Sequence, residues 1–183
     1  MKKIIIGGAL ALAALSAQAA TFTVDAMGNS SSGGSGLASI VLAAGQAFTV
    51  TASTDDLWSA GALPRWSDGD GLTYDRYATA TDDSGQAVGT HIGTNFGPWT
   101  QNGHTAAYGT LVGEIGGQWI SLGTNFNGVA PTAGTLNLYY WDSNNYDNEG
   151  RITFNVTAVP EPSTYLMMGA GLLMLGALRK RKA

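Results

Sequence analysis

The chain contains no cysteine. Disulfides, thiol chemistry and zinc–thiolate sites are therefore excluded, and a folded region must rest on its apolar core alone. Basic side chains are almost as scarce. Of the nine Lys and Arg residues, only Arg65, Arg76 and Arg151 fall between Thr21 and Val159. That stretch carries twelve Asp and Glu, so its net charge is near −9, although the whole chain sums to −4. Such a surface argues against nucleic acid and anionic membrane as partners and is compatible with divalent cations. Helical periodicity is missing from the middle of the chain, and no internal repeat is present. Only two histidines occur, His91 and His104, neither spaced with Ser or Asp as a triad would be. No nucleophile–base pair is legible, so no catalytic residue is assigned and an enzyme is not expected.

The apolar runs are confined to the two ends. Lys2 and Lys3 precede an apolar stretch, Ile4 to Leu15, which is followed by Ala17-Gln18-Ala19. This order reads as a secretory signal helix over 1–19 with a small-residue cleavage site, leaving Ala20 or Thr21 as the mature start. The other end reads Val159-Pro160-Glu161-Pro162, an uncharged run rich in Leu, Met, Ala and Gly, then Arg179-Lys180-Arg181-Lys182. The prolines keep their segment extended. Residues 163–178 would span about 24 Å as a helix, close to what a bilayer core requires. The basic cluster would remain on the cytoplasmic side. The region 159–183 is thus expected to anchor or address the chain, and 20–158 to fold as one exported domain.

These C-terminal residues resemble the PEP-CTERM sorting signal of Gram-negative, exopolysaccharide-producing bacteria. The resemblance implies recognition of Pro160, Glu161 and Pro162 by an exosortase, an integral-membrane protease. It also implies a transient inner-membrane tether, and release to the cell surface or extracellular matrix.

Between the ends, apolar residues alternate with polar ones. The pattern is clear in Thr21–Val24, Phe48–Ala52, Thr110–Ile115, Gln118–Leu122, Leu136–Trp141 and Arg151–Thr157. Period-two segments separated by Gly, Asn and Asp predict an all-β antiparallel sandwich. Asn29–Gly36 reads as a Gly/Ser-rich loop, and 66–105 as a long patternless insertion at one end. The stretch from Asp142 to Gly150 joins the last two predicted strands. With Asp142, Asn144, Asn145, Asp147, Asn148 and Glu149, it is dense in side-chain oxygen. Such a loop suits a hard cation taking about 6–8 oxygen ligands, and it equally suits a solvated Asx-rich hairpin.

Thr110–Gly116, Gly134–Leu138 and Asp142–Gly150 with the strand after it resemble the galactose-binding-like β-sandwich family that includes the calcium-dependent galactophilic PA-I type lectin. The resemblance implies a jelly-roll sandwich over roughly 21–159. It also implies Ca²⁺ held by Asp142, Asp147 and Asn148, with Asp147 standing where the lectin has Asn, and a mid-loop carbonyl from Asn144 or Asn145. A further carbonyl would come from near Trp58, and sugar hydroxyls, of galactose type, would complete the shell. His91 and His104 receive no role from it. Trp58, Trp66 and Trp99 are the candidates for stacking on a sugar ring, whereas Trp119 and Trp141 are expected at least partly in the core. Two functions follow: a calcium-supported carbohydrate-binding module associated with exopolysaccharide, or a structural surface protein with no specific small ligand.

Overall fold

The computed structural model describes residues 18–159 and Gly171. The tail features Pro160, Glu161, Pro162, Arg179, Lys180, Arg181 and Lys182, the expected membrane helix over 163–178 apart from Gly171, and most of the expected signal helix lie outside them. Among the described residues no helix is long and apolar enough to cross a membrane.

Two antiparallel sheets face each other, as the alternation predicts. The first is organised on β14 (Glu149–Ala158), the longest strand at ten residues. One edge of β14 pairs along most of its length with β1 (Gln18–Asp25), from Asp25 opposite Arg151 to Gln18 opposite Ala158. Its other edge is shared. The start pairs with β4 (Trp58–Ser59) and the end with β3 (Ala47–Thr51). Beyond these lie β5 (Trp66–Ser67) and β12 (Asn125–Val129). The second sheet runs β11 (Gln118–Ser121), β10 (Leu111–Ile115), β13 (Gly134–Tyr140), β2 (Leu37–Leu42).

Burial follows the alternation. Ile152, Phe154, Val156 and Ala158 of β14 point inward, as do Leu136, Leu138 and Tyr140 of β13. Phe48, Val50, Ile40, Leu42, Leu111 and Ile115 complete one continuous apolar core, which supplies the stability that disulfides cannot here.

The insertion at 66–105 contains more order than its sequence suggests. It holds β5, then β6 (Arg76–Tyr77) paired with β7 (His91–Gly93), and β8 (Pro98–Gln101) paired with β9 (His104–Ala107). Leu57, Ala78 and Ile92 form a satellite cluster against which Trp66 packs. Trp66, Trp99, His91 and His104 therefore stand on short strands, not in loops. These ribbons escape a periodicity search because strands of two to four residues show no period.

Trp58 corrects the expectation of a stacking platform. Its side chain is fully buried between the sheets, edge-on to Tyr140 at 4.7 Å and 5.7 Å from Phe154. The indole N–H donates to the carbonyls of Gly109 at 2.8 Å and Asp68 at 3.1 Å. A buried donor needs such acceptors, so the ring pins two loops to the core. Trp58→Phe leaves both carbonyls without that donor and is expected to cost about 1–3 kcal/mol. Trp58→Ala is expected to cost about 3–5 kcal/mol. Urea denaturation followed by circular dichroism checks both, and an unchanged midpoint for Trp58→Phe rules out a stabilising role for the indole hydrogen bonds.

Candidate functional site

The chain crosses from the second sheet to the first through residues 141–148, between β13 and β14. Trp141 is fully buried and fixes the entry: its backbone N–H donates to Thr110, its carbonyl accepts from Gly109, and its indole donates to the carbonyl of Trp99 at 3.0 Å. The exit is fixed by Gly150, whose φ of +83° and approach to Trp58 leave no room for a side chain.

The Gly/Ser-rich segment after β1 lies alongside. The Ser31 hydroxyl is 3.1 Å from the Asp142 carbonyl and 3.2 Å from the Asp142 N–H, and the Ser30 hydroxyl donates to the Asn144 carbonyl at 3.3 Å. The Asn145 amide donates to Met27 O at 3.3 Å. Asn148 donates through Nδ2 to the carbonyls of Ala26 at 3.1 Å and Asn144 at 3.2 Å. Two carbonyl partners fix the amide orientation, because the carboxamide oxygen could not bond to either.

With its donors spent outward, the loop is left with oxygens that nothing satisfies. Asp142 Oδ2, Asn144 Oδ1, Asp147 Oδ1 and Asn148 Oδ1 are each buried without a hydrogen-bond partner among the described residues. Asp142 and Asn148 are 2 % and 1 % exposed. Buried polar atoms are paired in the great majority of cases, so four such oxygens on one seven-residue stretch call for a counterpart. Burial raises the Asp142 pKa to about 6 and the Asp147 charge adds to this, against lowering by the Ser143 N–H, the Asn148 side chain and the Asn144 backbone. Burial, reinforced by the charges of Asp142 and Asp147, pushes the Tyr140 hydroxyl well above its ordinary range.

A pocket of about 60 Å³ opens beside the loop, lined by Asp142, Ser143 and Asn144 on one side and by Ala60, Arg65, Phe96 and Tyr108 on the other. Asp147 faces the turn after β4. Its Oδ2 is 3.8 Å from Arg65 Nη1, and a Cβ at Gly61, where φ is +114°, would sit 2.5 Å from that oxygen. Arg65 Nη1 also donates to the Ala60 carbonyl at 3.3 Å.

The four residues picked from the sequence, Asp142, Asn144, Asp147 and Asn148, thus share one loop and one predicament. The tryptophans do not join them. Trp58 lies beneath in the core and Trp66 in the satellite cluster. Trp99 reaches the pocket only through Tyr108, whose ring centroid is 6.2 Å away. Ala60, Gly61, Arg65, Phe96 and Tyr108 were not singled out in the sequence. No local pattern marks them, because they come from three separate connections. Among the described residues no three His, Cys, Asp or Glu side chains are placed to hold a metal. With two carboxylates, carboxamides and carbonyls, and neither His nor Cys, the donor chemistry of the loop is that preferred by a hard cation.

Residues 158–182 match the PEP-CTERM protein-sorting motif. No curated protein matches the chain. Among solved structures, an EclA N-terminal domain, described as a PllA-like lectin, superposes with a TM-score of 0.47 at 20 % identity, over 76 % of this chain and 95 % of that one.

The raised pKa of Asp142 sets the sign of a pH effect. Its folded pKa of about 6 lies above its ordinary 3.8, so the contribution is present below the ordinary value and is lost as pH rises through 6. In EDTA at pH 7, Asp142→Asn is therefore expected to raise stability by up to about 3 kcal/mol and to flatten the decline between pH 4 and 7. Thermal melts across that range check this, and a lower midpoint for the variant at pH 7 contradicts it.

Proposed function

We propose that the protein is an exported, exosortase-processed surface or matrix protein whose sandwich is a calcium-supported carbohydrate-binding module. The observation that carries the calcium reading is the set of four buried, unpartnered oxygens on Asp142, Asn144, Asp147 and Asn148. These side chains would hold the ion, and a backbone carbonyl of the turn after β4 would be an added donor. The bound ion would supply a polarising centre that sugar hydroxyls can enter as ligands. The pocket bordered by Phe96 and Tyr108 would receive the ring's apolar face.

The PEP-CTERM motif supports the route: signal-directed export, transient tethering by 163–178, and cleavage by an exosortase near Pro160-Glu161-Pro162. The fold supports the presentation. The loop precedes β14 and the sorting motif follows it, so ten residues of strand, about 33 Å, separate them. A tethered domain would hold its pocket away from the membrane, toward exopolysaccharide.

Calcium at a hundredfold excess over its dissociation constant is expected to add about 2.7 kcal/mol to stability, which is roughly 5–10 °C for a domain of this size. Thermal melts of the full chain in detergent with Ca²⁺ and with EDTA test this. Asp142→Asn should not respond. Equal midpoints for the unaltered chain defeat the calcium reading and leave a structural surface protein. A glycan array with and without Ca²⁺ then tests sugar binding, and calcium-independent or absent signals reject a calcium-bridged lectin. Replacing Pro160 and Glu161 by Ala is expected to retain the protein in the membrane fraction, where immunoblotting would find it. Undiminished release would argue against exosortase processing.

A further inference from the structure

Arg65 is out of keeping with its surroundings. It is one of three basic residues in a region with twelve acidic ones. Arg76 is tied to Asp68, Tyr74 and the Thr54 carbonyl, Arg151 is exposed on β14, and neither lines the pocket. Arg65 instead lines the pocket beside Asp142. Its guanidinium carbon stands 4.8 Å from the Phe96 ring centroid, which holds the planar group in one orientation. Nη1 is used by the Ala60 carbonyl and approaches Asp147. Nη2 and Nε make no hydrogen bond among the described residues, and the side chain is 37 % exposed.

The charge balance then decides what this group is for. A divalent cation on the loop would be offset by Asp142 and Asp147, whose Oδ1 is the orphaned atom and whose Oδ2 faces Arg65. Asp147 would then be shared between the ion and the guanidinium, and two carboxylates against a divalent ion and Arg65 leave one positive charge over at the pocket. A further anion beside Arg65 would balance it. The unused edge of a guanidinium matches a carboxylate in shape as well as charge.

We propose that the pocket selects an acidic saccharide, with a uronic acid carboxylate paired to Arg65 while ring hydroxyls enter the calcium shell. The proposal rests on the calcium-supported carbohydrate reading and narrows it to one class of sugar. Exposed neutral sugars would gain nothing from Arg65. Uronates, by contrast, would find at the pocket a guanidinium with an unused edge.

Isothermal titration of the full chain in detergent with saturating Ca²⁺ tests this, comparing methyl galacturonide and methyl glucuronide with their neutral methyl glycosides. A uronide is expected to bind about tenfold more tightly than its neutral counterpart, the worth of one charge-assisted pair. Arg65→Gln is expected to abolish that preference and to bind Ca²⁺ more tightly, because a like charge has gone. Arg65→Lys keeps the charge without the fork and should retain part of the preference. Equal or better binding of the neutral glycosides, or an Arg65→Gln variant that keeps the preference, overturns the proposal. Calcium binding with no glycoside bound overturns it too but leaves the cation site standing. Absence of calcium binding removes the underlying reading with it.

Discussion

The seating of the Trp58 indole is the constraint on which the rest of this structure depends. A large ring with one polar atom lies at the depth where the two sheets meet. Its N–H can be satisfied there only by backbone carbonyls brought to it. Asp68 and Gly109 supply them, and so two connections that are distant in sequence are drawn against the core. The strand carrying Trp58 pairs with Glu149 and Gly150, which fixes where the crossing loop must rejoin the first sheet. The same strand leads directly into Ala60, Gly61 and Arg65. The placement of the pocket's far wall is therefore a consequence of how a core residue is hydrogen-bonded.

The loop itself shows how a fold can prepare a polar site without any cluster of charged groups. Serines and backbone carbonyls of the 26–31 segment engage the loop from outside. Side-chain oxygens are turned inward, where burial works against them. The cost is visible in Asp142, whose carboxyl is held near pKa 6 by desolvation. A protein of modest size tolerates such unsatisfied groups because its core is otherwise continuous and well alternated. The loop is a place where burial works against stability, unlike a surface hairpin, whose polar atoms would simply meet water.

The strand ladder also relates the two ends of the chain. Gln18 lies opposite Ala158 at one end of β1 and β14, and the oxygen-rich loop occupies the other end of β14. The two limits of the continuous described region, residues 18 and 158–159, thus lie side by side at one end of this ladder, and the loop lies at the other. An acidic surface of net charge near −9 surrounds this arrangement. In that field a single guanidinium at the pocket is a conspicuous exception.

Much of this was legible in the residues alone. Alternation in Leu136–Tyr140 and Arg151–Thr157 determined two central strands and their inward faces, because a half-buried strand must separate apolar from polar every second residue. The missing cysteine and the paucity of Lys and Arg set the redox and electrostatic character directly. The density of Asp and Asn between Asp142 and Asn148 marked the loop, and Pro160-Glu161-Pro162 with the apolar run and basic cluster after it marked the sorting motif. β2 and β12 escaped notice, as did the short ribbons of 66–105, since brief or Gly-containing strands carry little period. Trp58 was misread because one aromatic residue in a strand gives no sign of whether it faces core or solvent. Only the tertiary structure decided that the loop oxygens are buried and unpartnered, and that Ala60, Gly61, Arg65, Phe96 and Tyr108 stand against them. Those contacts join positions dozens of residues apart, and the packing of two sheets, which local sequence does not encode, is what brings them together.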